Sequence, residues 1–234
     1  MTKLSIIIPA YNEEATIAEI IRRVNSAKVG KLSKEIIVVD DGSSDKTVEI
    51  VLHLQKVKLL THRKNQGKGA SIKTGLKSAT GDIFLIQDAD LEYSPEDYPK
   101  LLKPILEGKS QVVYGTRFNH LDLVLFGKKQ TPFISHYLGN KFLNLVTNIL
   151  YRSKLTDMET GYKVITHDVY RKLNLTASRF DFEPQITAQI LKAHFKISEV
   201  PISFSPRTYA EGKKITWRDG LAALKTLIKE RFTF

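Results

Sequence analysis

The sequence predicts a single α/β domain with a mixed, mainly parallel sheet flanked by helices. Two observations predict this fold class. Short β-branched runs alternate with helix-like segments in the first part of the chain, which is typical of βαβ units. Polar or acidic clusters directly follow three of the predicted strands. With 234 residues, 42% of them hydrophobic and 26% charged, the chain has an ordinary length and composition for one folded domain.

The first 108 residues contain the clearest alternation of strands and helices. The predicted strands are LSIII (4–8), EIIVV (35–39), VKLLTH (57–62) and DIFLIQ (82–87). The predicted helices are EEATIAEIIRRVNSA, SDKTVEIVLHLQ, KGASIKTGLKSA and PEDYPKLLKPILEG. Ligands of doubly wound sheets bind outside the carboxyl ends of the strands. We therefore assign residues 1–108 to nucleotide binding.

Residues 109–234 continue the fold with a different pattern. Strands are predicted in QVVYGTRF, TGYKVIT and ISEVPISFSP, and helices in SHYLGNKFLNLVTNILYR, THDVYRKL, FEPQITAQILKAH and ITWRDGLAALKTLIKERF. The segments 137–151 and 216–231 are amphipathic, and in the second we expect Leu221, Leu224, Leu227 and Ile228 on one face. We assign residues 109–234 to acceptor binding within the same domain.

The charge balance restricts the partners. Lys and Arg outnumber Asp and Glu by 36 to 25, and the resulting charge of +11 favours phosphorylated ligands or an anionic membrane surface. Nucleic acid is not an expected partner, because no nucleic-acid motif accompanies the charge. The absence of cysteine excludes disulfides and thiol chemistry. No signal peptide or membrane-spanning run is recognisable, so we expect a cytoplasmic protein.

Two carboxylates end the DIFLIQ strand. Asp88 and Asp90 stand one residue apart, and their oxygens suit Mg²⁺ or Mn²⁺ bridged to nucleotide phosphates. Glu92 is a third candidate ligand for the same metal. The alternative is a solvated turn, in which aspartate is common.

Two further polar clusters lie at the same predicted edge. Asp40 and Asp41 follow a buried strand, where a carboxylate suits the ring N–H of uracil or guanine. Ser43 or Ser44 is a candidate helix N-cap in that cluster. In PAYNEE, Pro9 ends the strand, Tyr11 suits contact with a base or ribose, and Glu13 suits the ribose hydroxyls.

Several cations stand near glycines or lack nearby acids. Lys68 in NQGKGASI is a candidate nucleotide contact, although this stretch matches neither a Walker A loop nor G-x-G-x-x-G, and the flanking glycines are equally consistent with a simple turn. The candidate phosphate-binding residues are Arg117, Arg207, Lys213 and Lys214. The alternative for these cations is a basic solvated surface.

Taken in order, these motifs resemble family 2 glycosyltransferases of the GT-A fold, in particular the dolichol-phosphate mannose synthase branch. The resemblance rests on IIIPAYNEE, VVDDGSSDKT, NQGKGASIKTGLKSATGD, DADLEY, YGTRF, LTDMETGYKVI and EVPISFSPRTYAEGKKITWRDG. It implies inverting transfer of mannose or glucose from GDP-mannose or UDP-glucose to a polyprenyl phosphate, with Mg²⁺ or Mn²⁺. Glu92 departs from the Gln often found at its position in this branch.

The resemblance also implies residue roles. Its nucleotide positions are Pro9, Tyr11, Glu13, Asp41 and Lys68, and its metal positions are Asp88 and Asp90. We add Asp40, Asp88 and Ala89 as candidate nucleotide contacts and Glu92 as a candidate metal ligand. The candidate catalytic residues are Asp90, Arg117 and Asp157. By the same resemblance, Arg117 matches a position near the acceptor or donor phosphate, and Arg207 with Lys213 or Lys214 matches a tail that closes over the diphosphate. For a hydroxyl acceptor, Asp157 or Glu159 would be the general base, and Asp157 is preferred.

Two alternatives to the lipid-phosphate transferase remain open from sequence. One is a family 2 enzyme with a saccharide, protein or other hydroxyl acceptor, and the other is a noncatalytic nucleotide-sugar binding subunit. The amphipathic segments predict contact with the cytoplasmic membrane face, a membrane partner subunit or a second copy of the chain.

Overall fold

A computed structural model describes residues 2–118, 134–206 and 217–233. The candidate cations Arg207, Lys213 and Lys214 lie outside the described residues. Within these ranges the fold is one seven-stranded mixed sheet covered by helices on both faces, as predicted.

The sheet is mainly parallel. Its strands are β1 (Lys3–Ala10), β2 (Ser33–Asp40), β3 (Val57–Thr61), β4 (Ile83–Ile86), β5 (Val112–Thr116), β6 (Lys163–Thr166) and β7 (Ile197–Pro201). Their order across the sheet is β3-β2-β1-β4-β6-β5-β7. Strands β1 to β4 pair in parallel, as does β5 with β7.

Strand β6 is the exception, because it runs antiparallel between β4 and β5. Its amino-terminal end therefore lies at the sheet edge where β1, β2, β4 and β5 have their carboxyl ends. This reversal brings the loop before β6 to the edge predicted to bind ligands. The sequence predicted a mixed sheet but not which strand is reversed.

The helices fall where the sequence predicted them. They are α1 (Ile17–Ser26), α2 (Thr47–Leu52), α3 (Lys68–Ser78), α4 (Tyr98–Leu106), α5 (Ile134–Tyr151), α6 (His167–Tyr170), α7 (Phe182–Lys192) and α8 (Trp217–Phe232). A 3-10 turn, Pro95–Asp97, leads into α4.

Two apolar layers cover the sheet because strand side chains alternate between its faces. Ile6 and Ile8 of β1 pack toward α1 and α4, whereas Ile7 packs toward α3 and α7. A smaller third cluster joins α5, α7 and α8, with Leu143 and Leu227 buried.

Helices α5 and α8 each carry a second apolar face that no described residue covers. Along α5 the exposed large side chains recur at helical spacing, at Leu138, Phe142, Leu145 and Ile149. Along α8 they are Leu221, Ile228 and Phe232. The face of α8 predicted to carry Leu221, Leu224, Leu227 and Ile228 is only partly covered, since Leu227 is buried whereas Leu221 and Ile228 are exposed. Among the described helices, none has the length and hydropathy of a membrane span.

Candidate active site

A cavity of about 480 Å³ opens at the strand ends, where the sequence placed the ligand. Of the predicted site residues, those lining the cavity are Pro9, Tyr11, Glu13, Asp41, Lys68, Asp88, Ala89, Asp90, Glu92 and Arg117. Residues lining it that were not predicted include Asn65, Tyr93, Gly161, Arg179 and Glu183. Asp40 and Asp157 stand behind this wall and hold parts of it in place.

The loops after β1 and β2 are bound to each other. The Asn12 N–H donates to Ser43 Oγ at 2.9 Å, and the Ser44 N–H donates to Asn12 Oδ1 at 2.8 Å. The expected cap role of Ser43 or Ser44 is wrong, because the Thr47 N–H at the start of α2 donates to Asp45 Oδ1 at 2.9 Å. The serines instead join the two loops that form this end of the cavity.

Asp41 is buried and its carboxylate already has protein partners. It accepts from the backbone N–H groups of Gln66 (3.0 Å) and Gly67 (2.7 Å), and His62 Nδ1 lies 2.7 Å from its Oδ1. Asp40 Oδ2 accepts from the N–H groups of Gly42 and Ser43. Both aspartates therefore shape the loops around the cavity, and only Asp41 lines it.

Asp88 and Asp90 follow β4 at the centre of the cavity wall. Gly161 packs directly against Asp88, since a Cβ added at residue 161 would lie 2.2 Å from Asp88 Oδ2. Asp90 Oδ1 accepts from the Glu92 N–H at 3.1 Å. Within the described residues no three acidic or histidine side chains converge on a single point as a complete metal site. Two carboxylates still form a hard oxygen donor pair suited to Mg²⁺ or Mn²⁺ when ligand oxygens and water supply the remaining positions.

Lys68 begins α3 and reaches into the same wall. Its Nζ lies 2.7 Å from Asp88 Oδ1 and 3.3 Å from Glu183 Oε1. Burial acts to lower the Lys68 pKa, but the two carboxylates outweigh it and the net pKa is raised. Gly67 before it has φ 103°, and a Cβ there would lie 2.3 Å from the Ser178 carbonyl oxygen. The glycine is therefore required for the turn that positions Lys68.

Arg117 is fixed by Asp157 at the end of β5. The Nε and Nη2 groups of Arg117 donate to the two Asp157 oxygens at 2.7 Å each, and the Arg117 backbone N–H donates to Oδ2 at 2.9 Å. Its guanidinium also lies over the Phe118 and Phe204 rings. Burial alone would lower the Arg117 pKa, but Asp157 raises it. Asp157 is fully buried, so its carboxylate orients Arg117 and does not face the cavity.

Glu159 and Glu183 are the acidic residues that sequence reasoning underrated. Burial and the nearby Glu183 raise the pKa of Glu159 to about 7, against the opposing effect of Lys163 and Arg117. Glu183 Oε2 pairs with Lys163 Nζ at 2.7 Å. One sequence feature could have indicated this buried charge cluster. Ionisable residues stand next to apolar ones in predicted strands and helices, with Lys163 in KVIT and Glu183 at the start of FEPQITAQIL.

A second groove, of about 740 Å³, lies between α1 and the turn before α4. Three of its charged groups are already paired, since Glu19 lies 2.7 Å from Arg22 and 2.6 Å from Arg23. None of the predicted site residues lines this groove.

Known proteins resemble this chain in sequence and in fold. It is 32% identical over 217 residues to the dolichol-phosphate mannosyltransferase of Pyrococcus furiosus. That alignment covers 90% of this chain and 59% of the relative. It is 28% identical over 249 aligned positions to the dolichyl-phosphate beta-glucosyltransferase of Dictyostelium discoideum. That alignment covers 99% of this chain and 74% of the relative. The chain thus spans about three fifths of the first relative's length.

The fold is that of a solved GT-A enzyme. Glucosyl-3-phosphoglycerate synthase from Mycobacterium tuberculosis, crystallised with Mn²⁺, UDP and glucosyl-3-phosphoglycerate, superposes with a TM-score of 0.72 at 21% identity. The alignment covers 98% of this chain and 80% of that protein. This confirms the predicted fold class. The sequence model named glycosyl transferase family 2 matches residues 5–173, and the chain belongs to that family.

Proposed function

We propose that this chain is an inverting glycosyltransferase that moves mannose or glucose from GDP-mannose or UDP-glucose to a polyprenyl phosphate. The observation that carries the proposal is the cavity at the strand ends, which joins the Asp88 and Asp90 carboxylates to the cations Lys68 and Arg117. Two relatives named as transferases acting on dolichol or dolichyl phosphate support the acceptor class.

The order of groups along the sheet edge supports a nucleotide sugar as the donor. Proceeding from β2 through β1, β4 and β6 to β5, the edge presents Asp41, then Tyr11, then Asp88 with Asp90, and finally Arg117. A nucleoside diphosphate sugar is linear, with the base at one end and the sugar at the other. We place its base near Asp41 and Tyr11, its diphosphate at the paired aspartates and its sugar toward Arg117.

A divalent cation fits the paired aspartates by the chemistry of its donors. Asp88 and Asp90 would hold Mg²⁺ or Mn²⁺, with Glu92 close by, and the ion would neutralise charge on the leaving diphosphate. In the GT-A enzyme of matching fold, Mn²⁺ accompanies UDP. Lys68 must then exchange part of its contact with Asp88 for a contact with ligand phosphate.

Fixed cations supply the main catalytic effect in this proposal. Breaking the bond from the anomeric carbon to the diphosphate oxygen leaves negative charge on the nucleotide, which Lys68 is placed to stabilise. Arg117 is oriented before any ligand binds, since its Nε and Nη2 groups donate to Asp157 and its remaining N–H donors stay available within the described part of the chain. We propose that Arg117 orients a phosphate and that Asp157 acts through Arg117.

The proposed acceptor requires no general base. The second pKa of a phosphate monoester is near 6, so a polyprenyl phosphate is largely ionised at neutral pH and attacks directly. Sequence reasoning preferred Asp157 as base for a hydroxyl acceptor. That role would require Asp157 to release Arg117, because both of its oxygens accept hydrogen bonds from that residue.

We propose that the exposed apolar faces of α5 and α8 contact the membrane that holds the acceptor. Both helices contribute to the same small apolar cluster through Leu143 and Leu227. Their other large apolar side chains, Leu138, Phe142, Leu145 and Ile149 on α5 and Leu221, Ile228 and Phe232 on α8, are exposed. Lys141 on α5 and Lys225, Lys229 and Arg231 on α8 add positive charge suited to anionic headgroups. This attachment would place the cavity beside a lipid-borne phosphate.

The test is release of GDP or UDP from a panel of nucleotide sugars with Mg²⁺ or Mn²⁺, with and without a short polyprenyl phosphate. We expect one donor to be used, with release that requires the lipid phosphate. The variant Asp90→Asn should lose about 100-fold or more in rate, because it removes one of the two proposed metal carboxylates. Lipid-independent release, or full activity of Asp90→Asn, would contradict the proposal.

A further inference from the structure

The loop before β6 is anchored along almost its whole length. Glu199 accepts from the N–H groups of Thr156 and Asp157 at 2.9 to 3.0 Å, and Asn144 Oδ1 accepts from the Met158 N–H at 2.8 Å. Lys163 Nζ donates to the carbonyls of Met158 and Thr160. A loop held this firmly presents its side chains in fixed positions.

Glu159 is the acidic residue of this loop that lines the cavity. Its Oε1 is sealed from solvent and has no hydrogen-bond partner among the described residues. Buried polar atoms normally find a partner, and leaving one without a partner costs about 1–3 kcal/mol. An anchored loop that retains such a group at a cavity wall indicates that a ligand supplies the partner.

The position of Glu159 along the sheet edge indicates which part of the ligand that is. The loop lies before antiparallel β6, between β4, which carries Asp88 and Asp90, and β5, which carries Arg117. Gly161, two residues on, packs against Asp88. A donor with its diphosphate at the paired aspartates and its base near Asp41 would bring its sugar to Glu159.

We propose that Glu159 determines sugar specificity by binding a hydroxyl group of the transferred hexose. This inference rests on the proposed function. A hydroxyl can donate to a carboxylate or accept from a carboxylic acid, so it satisfies Glu159 in either ionisation state. A diphosphate would instead be repelled by an ionised Glu159 and by Glu183 nearby.

Binding measurements with a matched ligand pair test the contact. We expect Glu159→Gln to bind the donor nucleotide sugar about tenfold more weakly than the wild type while binding the matching nucleoside diphosphate equally well. Donor analogues lacking one sugar hydroxyl sharpen the test. One analogue should weaken binding to the wild type and have little further effect on Glu159→Gln, which is the signature of a direct contact.

A matched control separates this contact from loop structure. Glu199→Gln is the same substitution in a residue that anchors the loop from outside the cavity, so it should lower the melting temperature and change the two affinities by similar factors. If Glu159→Gln also changed both affinities equally, or if no deoxy analogue showed coupling, the inference would be overturned. Failure of the wild type to bind any nucleotide sugar would instead overturn the proposed function itself.

Protein stability gives a readout that does not depend on ligand. The pKa of Glu159 is raised from 4.5 to about 7 by burial and by Glu183 and Asp157, whereas Lys163 and Arg117 oppose the shift. An acid with a raised folded-state pKa makes the protein lose stability as pH rises from about 4.5 to about 7. The wild type should therefore lose melting temperature over this window relative to Glu159→Gln. A constant difference would contradict the sealed environment of Glu159 Oε1 on which the inference depends.

Discussion

The two ends of the cavity differ in how their polar side chains are used. At the end formed by the loops after β1 and β2, Asp40 and Asp41 hold backbone N–H groups, and Asn12 with Ser43 joins the loops. At the end formed around β5 and β6, Arg117 is held by one buried aspartate, and Glu159 keeps a partnerless oxygen.

The difference shows that a motif that is easily recognised in the sequence does not always leave its side chains available to bind a ligand. The acidic pair of VVDDGSSDKT is easily seen in the sequence, yet Asp40 and Asp41 both accept hydrogen bonds from backbone N–H groups of the fold. The loop TDMETGYK has a weaker pattern, and its backbone is anchored so that Glu159 faces the cavity. We expect mutations at the first end to affect stability and ligand binding together, and mutations at the second to affect chemistry and sugar choice.

The largest effect that would sharpen this contrast is expected at Arg117. Arg117→Lys keeps the positive charge but loses the bidentate hydrogen bonds to Asp157. The transfer rate should therefore fall about 100-fold or more, whereas the affinity for the nucleotide should change little. Arg152→Lys makes the same replacement at an exposed residue and should have wild-type activity.

Asp157→Asn tests whether Asp157 acts through Arg117. If it does, Asp157→Asn combined with Arg117→Lys should be little worse than Arg117→Lys alone, measured as kcat/KM for the donor. Fully multiplicative losses would indicate that the two residues act independently and would break the proposed assignment at this end.

At the opposite end, Asp41→Asn should chiefly reduce stability. Asp41 accepts two backbone N–H groups and contacts His62, and such bonds to a charged acceptor contribute about 2–3 kcal/mol. Urea unfolding should show that loss, together with weaker nucleotide binding. Asp45→Asn, which changes a more exposed helix-capping residue, should cost about 1 kcal/mol. Unchanged stability in Asp41→Asn would remove the contrast between the two ends.

The smallest effect on the folded protein is expected on the apolar faces of α5 and α8. Phe142→Glu changes a side chain that is 54% exposed, so stability should change by no more than about 0.5 kcal/mol. Sedimentation with anionic vesicles at low salt should fall several-fold if this face meets the membrane. Leu106→Glu, at another exposed apolar side chain on α4, is the matched control and should bind vesicles like the wild type. Equal sedimentation of Phe142→Glu and wild type would contradict membrane contact through α5.

Much of the fold could be predicted because its signals are local. Strands such as β1 and β2 are short β-branched runs, and each polar cluster marks the end where a parallel strand stops. The reversal of β6 could not be predicted, since strand direction is set by long-range pairing with β4 and β5. Ten of the predicted site residues, among them Asp88 and Asp41, line one cavity for the same local reason.

The sequence could not indicate which carboxylates are already paired with other side chains of the protein. Asp157 and Glu159 are two residues apart in TDMETGYK, and both are candidate bases by residue type. The structure separates them, because Asp157 is enclosed with Arg117 whereas Glu159 lines the cavity. Only the three-dimensional placement of Arg117, Glu183 and Lys163 determines that difference.

The most direct test of the account is the product of a single transfer reaction. The wild type would be incubated with the donor that it uses, labelled in the sugar, and with either a polyprenyl phosphate or the matching polyprenol. The account predicts label in the lipid fraction only with the phosphate, joined with inverted anomeric configuration. Label transferred equally to the polyprenol, or to a saccharide instead of either lipid, would contradict the proposed lipid-phosphate acceptor.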